Sequence, residues 1–243
     1  MGVGEILGGS WNLYTKFFVR FFVVAIIVFA VVELIYALAL TAARHGGALA
    51  GLLSLVAVVV GFVGTCLLQG ALVFAVQDVR DGKIDTTVGE LFEKVRPYIG
   101  TLVGGSLLAG LGIFVGFILL IVPGLILLTW WCLLVPSIVL EGKGATEALG
   151  RSRELVKGHA WTVFGVVIIT SILSGIAAAI LGAVFSFLGT FLGHWIGGAI
   201  AQAVIGPFFA VALTLMYFKL HDLKEPSAAA PPAPAAPADA PAQ

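Results

Sequence analysis

Residues 21–43 read FFVVAIIVFAVVELIYALALTAA, an apolar run carrying one charge, Glu33. A helix needs about 20 mainly apolar residues to cross the hydrocarbon of a bilayer, and this run supplies them. Ala37-Leu38-Ala39 imitates a signal cleavage site, but the run outlasts the roughly 7–15 residues of a signal core and reads as a retained span. The whole chain has the same character. Of its 243 residues 60% are hydrophobic and 11% charged, with a mean hydropathy of +1.12. An ordinary soluble domain carries about 25% charged residues. Composition therefore excludes a soluble enzyme, a disordered charged partner and a nucleic-acid binder, which needs a basic face.

Five further runs follow. Ala48–Val76 ends at the polar segment 77–83; Tyr98–Ile121 is followed by Pro123-Gly124, read as a tight turn; Leu125–Leu140 is short and carries Pro136. Ala160–Ala183 and Ile196–Phe218 complete six spans, the last with an expected kink at Gly206-Pro207. Of 13 Lys and Arg, all but Arg44 fall on one side of this arrangement. By the positive-inside rule that side is cytoplasmic and holds both termini. Residues 1–224 thus form a membrane domain, and 225–243, with six of the ten prolines, a disordered Pro/Ala-rich cytoplasmic tail.

Three segments align without gaps. Glu5, Glu90 and Glu147 are followed at equal offsets by Ser10, Val95 and Ser152, and each segment precedes a pair of spans. Apolar or small residues recur at i, i+3, i+4 and i+7: Val3, Ile6, Leu7, Ser10, then Val88, Leu91, Phe92, Val95, then Ala145, Ala148, Leu149, Ser152. That is the stripe of an amphipathic helix in the membrane interface. The expected architecture is all-α: six transmembrane helices in three hairpins, each hairpin preceded by a cytoplasmic interfacial helix. Small residues (Gly100, Gly104, Gly112 and Gly116 in the third span; Ser171, Gly175, Ala178, Gly182 and Ser186 in the fifth; Gly189, Gly193, Gly197 and Ala201 leading into the sixth) are expected to mark helix contacts.

Glu33 is the one formally charged side chain inside a span, near mid-membrane. It reads either as a functional group or as a neutral carboxyl bonded to a neighbour such as Gln69 or Gln202, and the three form the candidate intramembrane site. Asp78, Asp81 and Asp85 fail the spacing of a calcium loop; a turn at Asp81-Gly82 and a helix cap at Asp85 or Thr86 fit better. Cys66 and Cys132 lie inside apolar runs and read as small hydrophobes. His45, His159, His194 and His221 are scattered, so no metal or cofactor is expected. Trp11, Trp161 and Trp195 sit where interfacial anchors belong, and Trp130 and Trp131 deeper, as packing.

The stretch 121–161 is the most distinctive. Val122-Pro123-Gly124, Val135-Pro136 through Glu141-Gly142, Gly150-Arg151-Ser152 and Lys157-Gly158, with Tyr217-Phe218-Lys219-Leu220-His221 near the end, resemble bacterial integral membrane proteins related to the membrane domain of glycerophosphodiester phosphodiesterase. His221 stands where that family more usually has Arg. The resemblance implies a six-span module of the bacterial plasma membrane. It transfers no catalytic residue, because in fused members the catalytic groups belong to a separate soluble barrel. The resulting expectation is a protein without catalytic activity, organising lipid or scaffolding a partner at the inner leaflet. The alternative is a small transporter or flippase around Glu33.

Overall fold

The structure is a computed structural model, described for residues 2–44, 46–80, 86–185 and 190–225. The expected tail beyond Glu225, the turn at Asp81-Gly82, Asp85, His45, Ser186 and Gly189 lie outside the described residues, as do the side chains of Gly193 and His194. The described residues are almost all helical, with no strand among them, and six helical segments are long and apolar enough to cross a membrane. The chain is a multi-pass α-helical membrane protein. In order the helices are α1 (Val3–Lys16), α2 (Phe18–Ala43), α3 (Ala48–Arg80), α4 (Val88–Val95), α5 (Ile99–Leu119), α6 (Ile121–Trp131), α7 (Leu134–Glu141), α8 (Ala145–Val156), α9 (Ala160–Phe185), the single turn α10 (Thr190–Leu192) and α11 (Gly198–Lys224). A π-helical turn, Gly193–Gly197, leads into α11.

α2 pairs with α3 and α5 with α6, and α11 forms the hub, touching α1, α2, α3, α8 and α9. It is also the most enclosed of the six spans. Its fully enclosed Met216 and Leu220 pack with Ile6, Leu155, Val163 and Val166 from α1, α8 and α9. A second cluster joins Phe21 and Val24 of α2, Leu72 and Val76 of α3, Leu102 of α5 and Ile138 of α7. Outward positions such as Leu52, Leu111, Phe114, Ile118 and Ile176 stay exposed, which is what a lipid-facing surface requires.

Several boundaries move from their sequence-based positions, each for a local reason. Pro123 and Gly124 do not form a turn after the third span. They lie in the first turn of α6, where a proline's missing N–H is harmless, and the reversal is made by Leu120 alone in extended backbone. Gly124 is needed there because a Cβ would sit 2.5 Å from the Phe117 ring. The fourth span is two helices, broken at Cys132 and Leu133. α4 does not stand apart from the third span: a 3-10 turn, Arg96–Tyr98 with Pro97, joins it to α5. α11 runs on through Pro207. The cap of α4 is Thr87, whose side chain accepts from Glu90 N–H while Glu90 accepts from Thr87 N–H.

The contact stripes are partly redistributed. A Cβ on Gly112 would lie 2.5 Å from Trp131, and one on Gly116 3.0 Å from the Cα of Gly124, so α5 and α6 meet there at backbone distance. Gly100, Gly104, Gly175 and Gly182 have nothing within 4 Å; the third-span glycine facing a neighbour instead is Gly105, against Ile138 and Ala145. α2 and α3 meet at Gly64, beside Val32, a contact outside the stripes read from sequence.

Candidate functional site

The three helices that precede span pairs present equivalent glutamates. Glu5, Glu90 and Glu147 each accept a hydrogen bond from the backbone N–H three residues earlier, Gly2 at 3.4 Å, Thr87 at 2.8 Å and Gly144 at 3.3 Å. A carboxylate there suits the orphan donors and positive end of a helix N-terminus. The residues that follow each glutamate are enclosed in parallel: Ile6, Leu91 and Ala148 directly after it, and Ser10, Val95 and Ser152 one turn further on. α1 lies lengthwise and antiparallel along α11. Glu5 pairs with Lys219, Trp11 and Tyr14 meet Phe208, and Tyr14 Oη donates to Val204 O at 2.5 Å. Burial raises the Tyr14 phenol to about 12, so it remains a donor.

At the end of the bundle that carries Gly2 and Glu225, charges close the gaps between helices. Arg20 on α2 donates to Asp78 Oδ2 on α3 at 2.9 Å and to Thr86 O at 3.0 Å. Arg80 bonds Asp222 at 3.1 Å and lies over the Phe218 ring. The densest cluster joins the residues of the distinctive stretch. Arg151 Nε donates to both oxygens of Glu141, at 2.9 and 3.0 Å, Tyr217 Oη donates to Glu141 Oε1 at 2.6 Å, and Arg151 Nη2 reaches Glu225 at 2.6 Å. Lys143 stands 3.5 Å from Glu141, and His221 3.3 Å from Glu225. Burial opposes the Arg151 charge, but its hydrogen bonds to Glu141 and Glu225 outweigh it and hold the guanidinium above its usual value.

Ser152 sits one residue along and does something different. Its hydroxyl donates to Trp130 O at 2.6 Å and accepts from Leu133 N–H at 3.1 Å. Those backbone groups flank the break that Pro136 leaves in the span. Gly142 and Gly158, two of the motif's glycines, have positive φ (66° and 93°), where a side chain is strained. The named residues of the distinctive stretch thus brace the fold. Pro123 and Gly124 shape the α5–α6 reversal, Pro136 and Ser152 the broken span, Gly142 and Gly158 the helix ends, and Glu141 with Arg151 the charged lock.

The intramembrane trio is brought together only in part. Gln69 and Gln202 line one open-sided cleft of about 200 Å³ between α2, α3, α7 and α11, together with Thr65 and Thr214. Glu33 does not line it. It lies one helical turn beyond Phe29, a cleft residue, with its carboxylate against Gly198 at the start of α11, where an added Cβ would come within 2.9 Å. Nearby Trp195 Nε1 donates to Ala30 O at 3.0 Å, a helix-to-helix bond rather than an interfacial anchor. Among the described residues no group of three His, Cys, Asp or Glu stands close enough to hold a metal ion.

Spans braced by polar groups between helices define the class: a multi-pass helical membrane protein. The chain belongs to the family described as Domain of unknown function (DUF7847), which matches residues 93–235, from within α4 through the last four spans. No curated protein and no solved structure matches it.

Proposed function

We propose that this chain is a bacterial plasma-membrane protein without catalytic activity, with both termini cytoplasmic, that organises anionic lipid headgroups at the inner leaflet. The observation that carries this reading is the combination of solvent-exposed cations and exposed aromatics at the charged end. Arg96 is 75% exposed, Arg153 and Lys157 are exposed, and Arg153 lies 4.3 Å over the Trp130 ring. Trp161 is 86% exposed in the first turn of α9. Tryptophan beside Arg and Lys belongs at headgroup depth, and each such cation contributes about 1 kcal/mol toward an anionic leaflet. The likeness of residues 121–161 to the non-catalytic part of the phosphodiesterase relatives supports the same reading, as does the commitment of Glu141 and Arg151 to each other. The three matched glutamates support an origin by repetition of one unit, an amphipathic helix followed by a hairpin. Transport around Glu33 has less behind it, since Glu33 stands outside the cleft. A partner protein at the cytoplasmic face would use the same exposed cations.

The test uses the full chain in nanodiscs of phosphatidylcholine with a fraction of phosphatidylglycerol, with retained lipid read by native mass spectrometry. Retention of phosphatidylglycerol that drops in Arg96→Gln/Arg153→Gln/Lys157→Gln is expected. Equal retention by wild type and triple variant overturns the reading.

A further inference from the structure

The cleft between α2, α3, α7 and α11 has a composition that the lipid-surface reading does not use. Gln69 lies 11 residues, about 16 Å of helix, from Arg80 at the charged end, which places it near mid-membrane. Neither Gln69 nor Gln202 bonds another described side chain or backbone group, although an amide facing hydrocarbon without a partner is costly. Thr65 and Thr214 have already donated their protons, to Gly61 O and Ala210 O, each at close range. Thr214 is fully buried, so the Thr65 hydroxyl offers the cleft lone pairs alone, while the two amides offer both donors and acceptors. Among the described residues no ionisable side chain lines the cleft, and the remaining wall is apolar: Phe29, Leu68, Leu72, Phe209 and Leu213.

We propose that this cleft is a binding site for a neutral, hydroxyl-bearing lipid headgroup, with the acyl chain lying along the apolar wall. A phosphate is the wrong chemistry: it is charged, only accepts, and would meet the acceptor hydroxyl of Thr65 and no cation. A hydroxyl both donates to Thr65 and completes the amides. The volume also fits. About 200 Å³ is roughly six to seven water-sized groups, the size of a glyceride head rather than a sugar phosphate. This site is independent of the cations at the charged end, so the two readings fail separately.

The experiment places the full chain in phosphatidylcholine nanodiscs doped either with dioleoylglycerol or with dioleoyl phosphatidic acid, and counts adducts by native mass spectrometry. The expected result is one retained dioleoylglycerol that falls about tenfold in Gln69→Leu/Gln202→Leu, the loss of two neutral hydrogen bonds. Thr65→Leu, which fills the cleft and leaves both amides in place, should lower it as well, with the melting temperature of each variant unchanged or higher. Absence of the adduct from wild type, equal dioleoylglycerol retention by the double variant, or phosphatidic acid retention that falls in the double variant as dioleoylglycerol does overturns the proposal. Phosphatidic acid retention that is unchanged in the double variant reports on the charged end alone.

Discussion

Pro136 has no N–H, so the helical bond it would make to Cys132 O is missing and the turn before it opens. Inside a membrane the freed groups cannot turn to water. Ser152, with no exposed surface, supplies a donor to Trp130 O and an acceptor to Leu133 N–H from a different helix. Ser152→Ala should therefore destabilise the protein by about 1–3 kcal/mol, the range for stranding buried backbone groups. Ser10→Ala, at the matching place in α1, should do much less, since Ser10 bonds only Ile6 O of its own helix. Thermal melting of both in the same nanodiscs checks this; equal losses would show that the bridge to the broken span is not what matters. Tyr217→Phe removes one donor from Glu141 but leaves Arg151 in place, whereas Glu141→Leu strands the guanidinium. The expected order of melting temperature is wild type, then Tyr217→Phe, then Glu141→Leu. A breach of that order would mean that Arg151 is held chiefly by Glu225.

Helix pairs differ in how closely their backbones approach, and that sets what each glycine tolerates. Gly116→Ala should drive α5 from α6 and cost about 1–3 kcal/mol as overpacking, because its neighbour at 3.0 Å is backbone. Gly104→Ala, with open space around it, should be neutral or stabilising by up to about 1 kcal/mol through helix propensity. Chemical denaturation of the two variants separates them. The docking of α1 on α11 has its own signature. Hydrogen bonding from Lys219 and from Gly2 N–H holds the Glu5 carboxyl below its usual 4.5, so the folded form favours the ionised group. Its contribution is present above pH 4.5 and is lost as the pH falls below that value through the lowered folded pKa. The protection of α1 against hydrogen exchange, taken relative to the intrinsic rate at each pH, should fall on that acid side in wild type and show no such step in Glu5→Gln.

For the molecule as a whole, the decisive measurement concerns which face of the membrane each end occupies. Ala48 and Gly144 are both exposed, one at the α2–α3 reversal and the other at the charged end. If the charged end is cytoplasmic, Ala48→Cys should react with an impermeant thiol reagent on intact cells and Gly144→Cys only after permeabilisation. Labelling of Gly144→Cys from outside would reverse the orientation or remove the broken fourth span.

Six spans, the cation-rich end of the bundle and the three leading glutamates were legible in the chain, because each rests on local quantities: run length, charge count and offset along the sequence. The same is true of the distinctive stretch, although its letters alone do not say what its residues hold together. That became visible in three dimensions, since Glu141 meets Tyr217 across 76 residues of chain and Ser152 meets the Pro136 break from another helix. Likewise Gln69 and Gln202 could be marked as polar residues at membrane depth, yet the separation of Glu33 from their cleft depends on how α2 sits against the start of α11. Apolar helices in lipid have no hydrophobic reason to choose one neighbour over another, so the pairing is decided by close-fitting glycines and a few long-range polar bonds.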